Sequence, residues 1–329
     1  MGLNVSLGIS PREPLRDWMS FAAALDERGV ERLWLIDSQL AMKDVYAGLT
    51  TAALSTRRLQ LGPGVTNPAT RHPTVTAGAM AALSELSEGR AVLGLGAGDS
   101  AVQGLGRKPA KVAEVEAAIR FFKAVFAGER ATWEGIVHHP VHLAAPVPVY
   151  LAVSRPRMCA LAGRLADGVI LMGPAQPELV AEQVGWVTGG IEEAGRDRSE
   201  VDICFVATTS VNEDAEAALR DVRSWASAQA RLLADVADLP AGLAPYADEL
   251  ARAKAEYDYG EHLSTRADHQ GAVSDELVRV LAVAGPPAEC AARLAELRAA
   301  GVDELIFPLM GGDRLERLRV LQEEMAPAR

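Results

Sequence analysis

Polar side chains gather at five places in this chain, each directly after an apolar run: Asp37-Ser38, Thr66-Asn67, Asp99-Ser100, Ser154-Arg155 and Thr208-Thr209-Ser210. Residues of these types are good helix caps, and each alone has that ordinary use. Five of them at the ends of successive apolar runs point to a shared rim, where hydroxyl, amide and carboxylate groups converge on a ligand. Two glycine clusters lie among them. In Leu61-Gly-Pro-Gly-Val-Thr-Asn-Pro68, Gly62, Pro63, Gly64 and Pro68 break a β-like run at its end. That is either a plain turn into the helix at His72-Pro73 or a place where bare backbone approaches a flat ligand. In Gly94-Leu-Gly-Ala-Gly-Asp-Ser100, Gly96, Gly98 and Ala101 match the strand-then-GxGxxA pattern of dinucleotide sites. The match is formal, because the run is a fourth strand and the nearby acids Glu114 and Glu116 fall within a helix. A loop that lets a cofactor approach fits better.

Arg155 and Arg157 flank Pro156 at a strand-to-helix junction. There guanidinium groups and helix N-terminal amides can hold a phosphate jointly, or the arginines are simply solvated. His138, His139 and His142 are close in sequence but have no carboxylate beside them, so no metal site is expected. Cys159, Cys204 and Cys290 are far apart in apolar runs and read as buried thiols of a reducing compartment. No Gly-x-Ser-x-Gly, phosphate-binding Walker loop, zinc spacing or Cys/His pair is present.

The elements that position these residues alternate from end to end. Strands are expected near 3–9, 32–37, 59–66, 91–96, 148–153, 168–172, 201–210 and 303–309, with helices such as 14–28, 72–87, 108–127, 176–195 and 286–300 between them. Runs such as Arg32-Leu-Trp-Leu-Ile36 are apolar on successive residues, which suits parallel strands covered on both faces. Eight such strands with helical crossovers predict a closed (β/α)8 TIM barrel, one domain over residues 1–329. Two insertions interrupt it. Residues 131–147 read as a hairpin before the fifth strand. Residues 212–285 read as added helices before the eighth, with a mobile stretch from Tyr257 to Gly271 and no strand of core quality. The 329 residues are 49% apolar and 23% charged, with a formal net charge of −11. That excess of acid argues against nucleic acid or an anionic membrane as partner. With no basic leader and no apolar run near the ~20 residues of a membrane span, a cytoplasmic protein is expected.

The motifs Leu33-Trp-Leu-Ile-Asp37, Gly62-Pro-Gly-Val-Thr-Asn-Pro68, Gly89-Arg-Ala-Val-Leu-Gly-Leu-Gly-Ala-Gly-Asp99, Leu105-Gly106, Trp133-Glu-Gly135, Val149-Tyr-Leu-Ala-Val-Ser154 and Asp167-Gly-Val-Ile170 occur in an order that resembles the luciferase-like superfamily. Within it the chain looks most like the coenzyme F420-dependent methylenetetrahydromethanopterin reductases. The resemblance implies an oxidoreductase that binds the deazaflavin F420, or alternatively FMN, and passes hydride to or from a small organic substrate. It also implies a non-proline cis peptide at Gly64–Val65 that supports the central ring, with Asp37 approaching the cofactor. Thr66 and Asn67 would lie at the ring edge, and Gly96, Ala97, Gly98 and Asp99 at the ring or ribityl region. Ser154, Arg155, Pro156 and Arg157, with Met172 and Gly173, would take the phosphate and tail. Asp99 is the expected proton-handling residue, which as an acid would need surroundings that raise its pKa toward neutrality. A homodimer is expected as well.

The departures bear on the substrate. The reductases have Glu at the end of the first strand, where Gly8 stands, and many deazaflavin dehydrogenases have His where Ser38 follows Asp37. The reductases' fifth-strand Gln and Gly appear as Ser154 and Arg155. Tetrahydromethanopterin is therefore not the expected substrate. An FMN-dependent monooxygenase and a non-catalytic cofactor-binding barrel are the other readings of the same residues.

Overall fold

In the computed structural model, which describes residues 5–236, 239–309 and 313–324, eight parallel strands form one sheet. They are β1 (Ser6–Ile9), β2 (Arg32–Leu35), β3 (Gln60–Pro63), β4 (Leu93–Leu95), β5 (Val149–Val153), β6 (Gly168–Leu171), β7 (Asp202–Val206) and β8 (Glu304–Pro308). Their spatial order is β3-β2-β1-β8-β7-β6-β5-β4. The ring closes between β3 and β4 through backbone bonds on either side of a kink: Val92 N donates to Leu61 O (3.0 Å), and Thr66 N donates to Gly94 O (3.0 Å). The barrel is thus the one expected, with all eight strands where the apolar runs lie. The start of the first run, residues 3–4, is outside the described residues.

Successive apolar residues serve two cores. Leu33, Leu35, Leu93, Leu95, Leu151, Val169, Phe205 and Phe307 point outward to the helices, while Trp34, Val92, Tyr150, Ile170, Cys204 and Ile306 fill the barrel. Alternate side chains of a strand face opposite ways. Two bulky rings dominate the interior and meet edge-on, Trp34 and Tyr150, with centroids 5.3 Å apart. Each has glycine beside it on both neighbouring strands: Gly8 and Gly62 flank Trp34, and Gly94 and Gly168 flank Tyr150. A Cβ at Gly168 would stand 2.1 Å from the Tyr150 ring. Large beside small is how a small barrel fills its lumen.

The region before β5 contains an antiparallel pair, Ala131–Trp133 with Ile136–His138. The region before β8 corrects the sequence reading in two respects. The run expected as one strand over 201–210 breaks after Val206, and Thr209–Val211 leaves the barrel to pair with Val283–Gly285, a strand that was not expected. The stretch from Tyr257 to Gly271 contains two short 3₁₀ turns, and its Tyr257, His262, Leu263 and His269 are buried, so it packs as a cover. Between these parts the helices Ala215–Leu233, Ala247–Glu256 and Asp275–Leu281 share their own apolar cluster.

Candidate active site

The rim forms at the C-terminal ends of the strands, where barrel enzymes of this type keep their reacting groups. After β3 the chain turns inward through Gly64–Val65, whose peptide bond is cis. Glycines make this fit possible. A Cβ on Gly64 would lie 2.5 Å from Trp34 Cβ, one on Gly94 2.2 Å from Pro63 O, and one on Gly96 2.8 Å from Val65 Cγ2. Val65 packs on the inner cluster while remaining half-buried.

Beside this kink, Asp37 is buried and accepts from Thr66 Oγ1 (2.8 Å) and from Arg71, which also holds Asp44 (3.1 Å). Burial pulls the Arg71 guanidinium down, but its bond to Asp37 leaves the pKa raised. Burial, then the Asp37 charge, pushes the Tyr46 hydroxyl beside this pair up to about 12. Ser38 Oγ and Ser100 Oγ are 3.0 Å apart, tying the end of β2 to the loop after β4. Asn67 has the ordinary use: its Oδ1 accepts from Ala69 N (3.0 Å) and Thr70 N (2.9 Å) in a local turn. Gly98 takes φ +88, and a Cβ there would strike Val102 at 2.3 Å.

Asp99 is held by a residue that sequence reasoning missed. Arg231, buried on the helix Ala215–Leu233, donates to both Asp99 oxygens, one of them at 2.8 Å, in a fork-to-carboxylate pair. Gln103 Nε2 donates to Asp99 Oδ1 (3.1 Å) and Tyr259 OH to Gln103 Oε1 (2.7 Å). The Arg231 guanidinium lies 4.5 Å from the Tyr257 ring centre and 5.1 Å from that of Tyr259. Tyr257 OH is 2.6 Å from His262 Nδ1, and Arg12, after β1, donates to His262 O. Burial lowers the His262 pKa to about 4 and pushes Tyr257 up to about 12. The one local signal for Arg231 was a lone cation within Ala228-Gln-Ala-Arg-Leu-Leu233.

Other expected residues scatter. Ser154, Arg155, Pro156 and Arg157 are exposed at the start of the helix Pro156–Leu165, and Arg155 Nη1 donates to Asp235 O (3.1 Å). Gln183 Nε2 ties this loop to the next by donating to Ser154 O (3.1 Å) and Met172 O (3.0 Å), and Gly173 lies against the same amide. Thr209 and Ser210 belong to the outer strand and not to the rim, and Ser210 Oγ donates to Asp221 (2.9 Å). Thr208 stays at the end of β7, and its buried hydroxyl, like that of Ser10 after β1, has no partner among the described residues. Ala97 O is taken by Ala110 N (2.7 Å). Cys159, Cys204 and Cys290 are buried and free, as expected. Among the described residues one group has metal-like spacing, Asp202, Cys204 and Glu304, and Arg32 fills it.

Residues 3–304 match the model of the family described as luciferase-like monooxygenase. The chain belongs to the luciferase-like family. The 5,10-methylenetetrahydromethanopterin reductase of Methanolobus tindarius is 32% identical over 313 residues, covering 90% of this chain and 91% of its own. The F420-dependent glucose-6-phosphate dehydrogenase of Kineococcus radiotolerans is 28% identical over 330 residues, covering 93% and 91%. The solved coenzyme F420-dependent tetrahydromethanopterin reductase of Methanopyrus kandleri superposes with a TM-score of 0.78 at 24% identity, over 98% of both chains, which establishes the shared barrel.

Proposed function

We propose that this chain is a coenzyme F420-dependent oxidoreductase that moves hydride between the deazaflavin and a small organic substrate at the C-terminal mouth of the barrel. The observation that carries this reading is the bare backbone seat. Gly64, Gly94 and Gly96 let the chain fold inward against Trp34 and leave Val65 half-buried there, with Thr66 and Gly96 joined beside it. Relatives named for F420 dependence, or for the methanopterin reductase reaction, align over nine-tenths of both chains and support it. The residues fit such a group: Val65 offers apolar support for a ring, and the buried hydroxyls of Ser10 and Thr208, without partners among the described residues, suit a polar ligand. Exposed Arg155 and Arg157 at a helix N-terminus suit an anionic tail.

In this reading Gly64 and Val65 support the ring, and Thr66, Asn67, Gly96, Ala97 and Gly98 border it. Ser154, Arg155, Pro156, Arg157, Met172 and Gly173 take the tail. The cofactor, when bound, supplies the redox chemistry as a two-electron hydride carrier. The protein binds it, orients it and excludes water. Asp37 fixes Thr66 and Arg71, and Asp99 handles a proton only when Arg231 releases it, being otherwise a charged anchor for the cover. The same reading takes residues 1–329 as one barrel domain that works as a homodimer in a reducing cytoplasm; three buried free thiols support the last point.

Because the family's description names monooxygenases, an FMN-dependent oxygenase on the same seat is the second reading. Titration with each cofactor, followed by fluorescence, separates them. Saturable binding of F420 with no binding of FMN is expected; the reverse order overturns the proposal.

A further inference from the structure

At the mouth, both strand-end carboxylates, Asp37 and Asp99, are engaged by arginines. One neutral pair there is able to trade a proton. We propose that Tyr257 and His262 form a proton relay above the seat, and that the substrate is an alcohol–carbonyl couple whose hydroxyl proton leaves through Tyr257 as hydride leaves its carbon. This rests on the F420-dependent reading above.

Topology puts the pair over the seat. Strands β1, β2, β3 and β4 are successive neighbours around the barrel. The cover is fastened at both ends of that arc: Arg12, after β1, donates to His262 O, and Asp99 and Gln103, after β4, hold Arg231 and Tyr259. It therefore spans the ends of β2 and β3, where Gly64–Val65 lies. Tyr257 and Leu263 belong to the same inner cluster as Trp34, Ile36 and Val65.

The chemistry follows from burial. His262 and Tyr257 are 7% and 8% exposed. Burial keeps the imidazole neutral; Asp99 opposes that, while Arg231, Arg12 and His269 reinforce it. Burial likewise keeps the phenol protonated, with Arg231 pulling against it. The relay takes the tautomer in which the Tyr257 hydroxyl donates to Nδ1 and the ring proton sits on Nε2. On oxidation the C–H electron pair goes to the oxidised deazaflavin, the C=O bond forms, the substrate hydroxyl proton passes to Tyr257 oxygen, and the phenol's proton passes to His262 Nδ1. As hydride departs, the hydroxyl becomes that of a protonated carbonyl, a strong acid. Even a weakly basic imidazole is then a sufficient sink. Carbonyl reduction runs the same atoms backward.

The test uses the full-length protein, F420 and a panel of primary and secondary alcohols. Tyr257→Phe is expected to bind F420 within about twofold of wild type and to slow single-turnover cofactor reduction about 100-fold. His262→Gln is expected to make the rate rise with pH between about 6 and 9, as solvent base replaces the imidazole, where the wild-type rate is flat. Independently of turnover, ¹⁵N spectra of the cofactor-free protein should show His262 protonated on Nε2, with the Nδ1 resonance displaced in Tyr257→Phe. Normal cofactor binding with turnover intact in Tyr257→Phe, no turnover of any alcohol by the wild type, or a proton on Nδ1, overturns the relay alone. Failure of the wild type to bind F420 overturns the reading on which it stands.

Discussion

The two ends of the barrel are built from similar residue types and treat them in opposite ways. At the N-terminal end Arg32 donates to Glu304 (3.0 Å) and Asp202 (3.2 Å), Tyr150 OH donates to Asp202 (2.7 Å), and Ser6 Oγ donates to Glu304, so these acids and hydroxyls are answered within the protein. At the C-terminal end Ser10 and Thr208 keep buried hydroxyls without partners among the described residues, and Arg231 Nε lacks one beside its ion pair. A saturated polar cluster holds a fold together, whereas an unsaturated one is ready for a ligand. The contrast assigns stability to one end and chemistry to the other, as barrel enzymes generally divide them.

Breaking the saturated end carries the largest expected effect. Arg32→Met leaves Asp202 and Glu304 facing each other without the guanidinium that bonds both, and urea unfolding at pH 8 should show a loss of about 3 kcal/mol or more. The loss should be smaller at pH 6, where Glu304 takes up a proton.

The second effect is a pH dependence. Burial raises Glu304 from 4.5 to about 7; Arg32 opposes the shift and Asp202 adds to it. Between these values the folded state binds more protons at this site than the unfolded one, so the Glu304 contribution to stability is fullest below about pH 4.5 and declines as pH rises through about 7. At ~1.4 kcal/mol per pH unit the decline totals about 3 kcal/mol. Chemical unfolding from pH 5 to 8 should show this slope in the wild type, and Glu304→Gln should flatten it.

Breaking the latch at the mouth should have a mixed, intermediate effect. Asp99→Asn leaves Arg231 buried without its charge partner, at a cost of about 2 kcal/mol in thermal unfolding. It should also loosen the cover, read as faster hydrogen exchange over residues 257–269 with the barrel strands unchanged. The smallest effect sharpens the contrast most. Ser10→Ala removes a hydroxyl that has no partner among the described residues and should change stability by less than about 1 kcal/mol, or raise it. A loss as large as that of Arg32→Met would erase the distinction between the two ends.

The eight strands were legible because their pattern is local: a strand covered on both faces must be apolar on successive residues, as in Arg32-Leu-Trp-Leu. The rim was legible in position, since polar residues that follow such runs have to stand at a strand end. Partnership was not. Asp37 could be placed without Arg71, and Asp99 without Arg231, which lies 132 residues away on a helix that belongs to no barrel repeat. The strand Val283–Gly285 is three residues long, too short for a periodic signal, and forms through its partner at Thr209–Val211. Tyr257 and His262 lie in a polar-looking stretch that is tied down by Arg12 and Gln103 and packed against Trp34 and Ile36, all distant in sequence. Composition marks such a segment as loose because its contacts are long-range.

The most direct test is a crystal structure of the protein grown with F420. It should show the tricyclic ring against Val65, between Thr66 and Gly96, with Tyr257 and His262 on the opposite face and new hydrogen bonds reaching Ser10 or Thr208. A ring bound elsewhere, or a saturating soak that leaves the Asp99–Arg231 latch closed over an empty seat, would contradict the account.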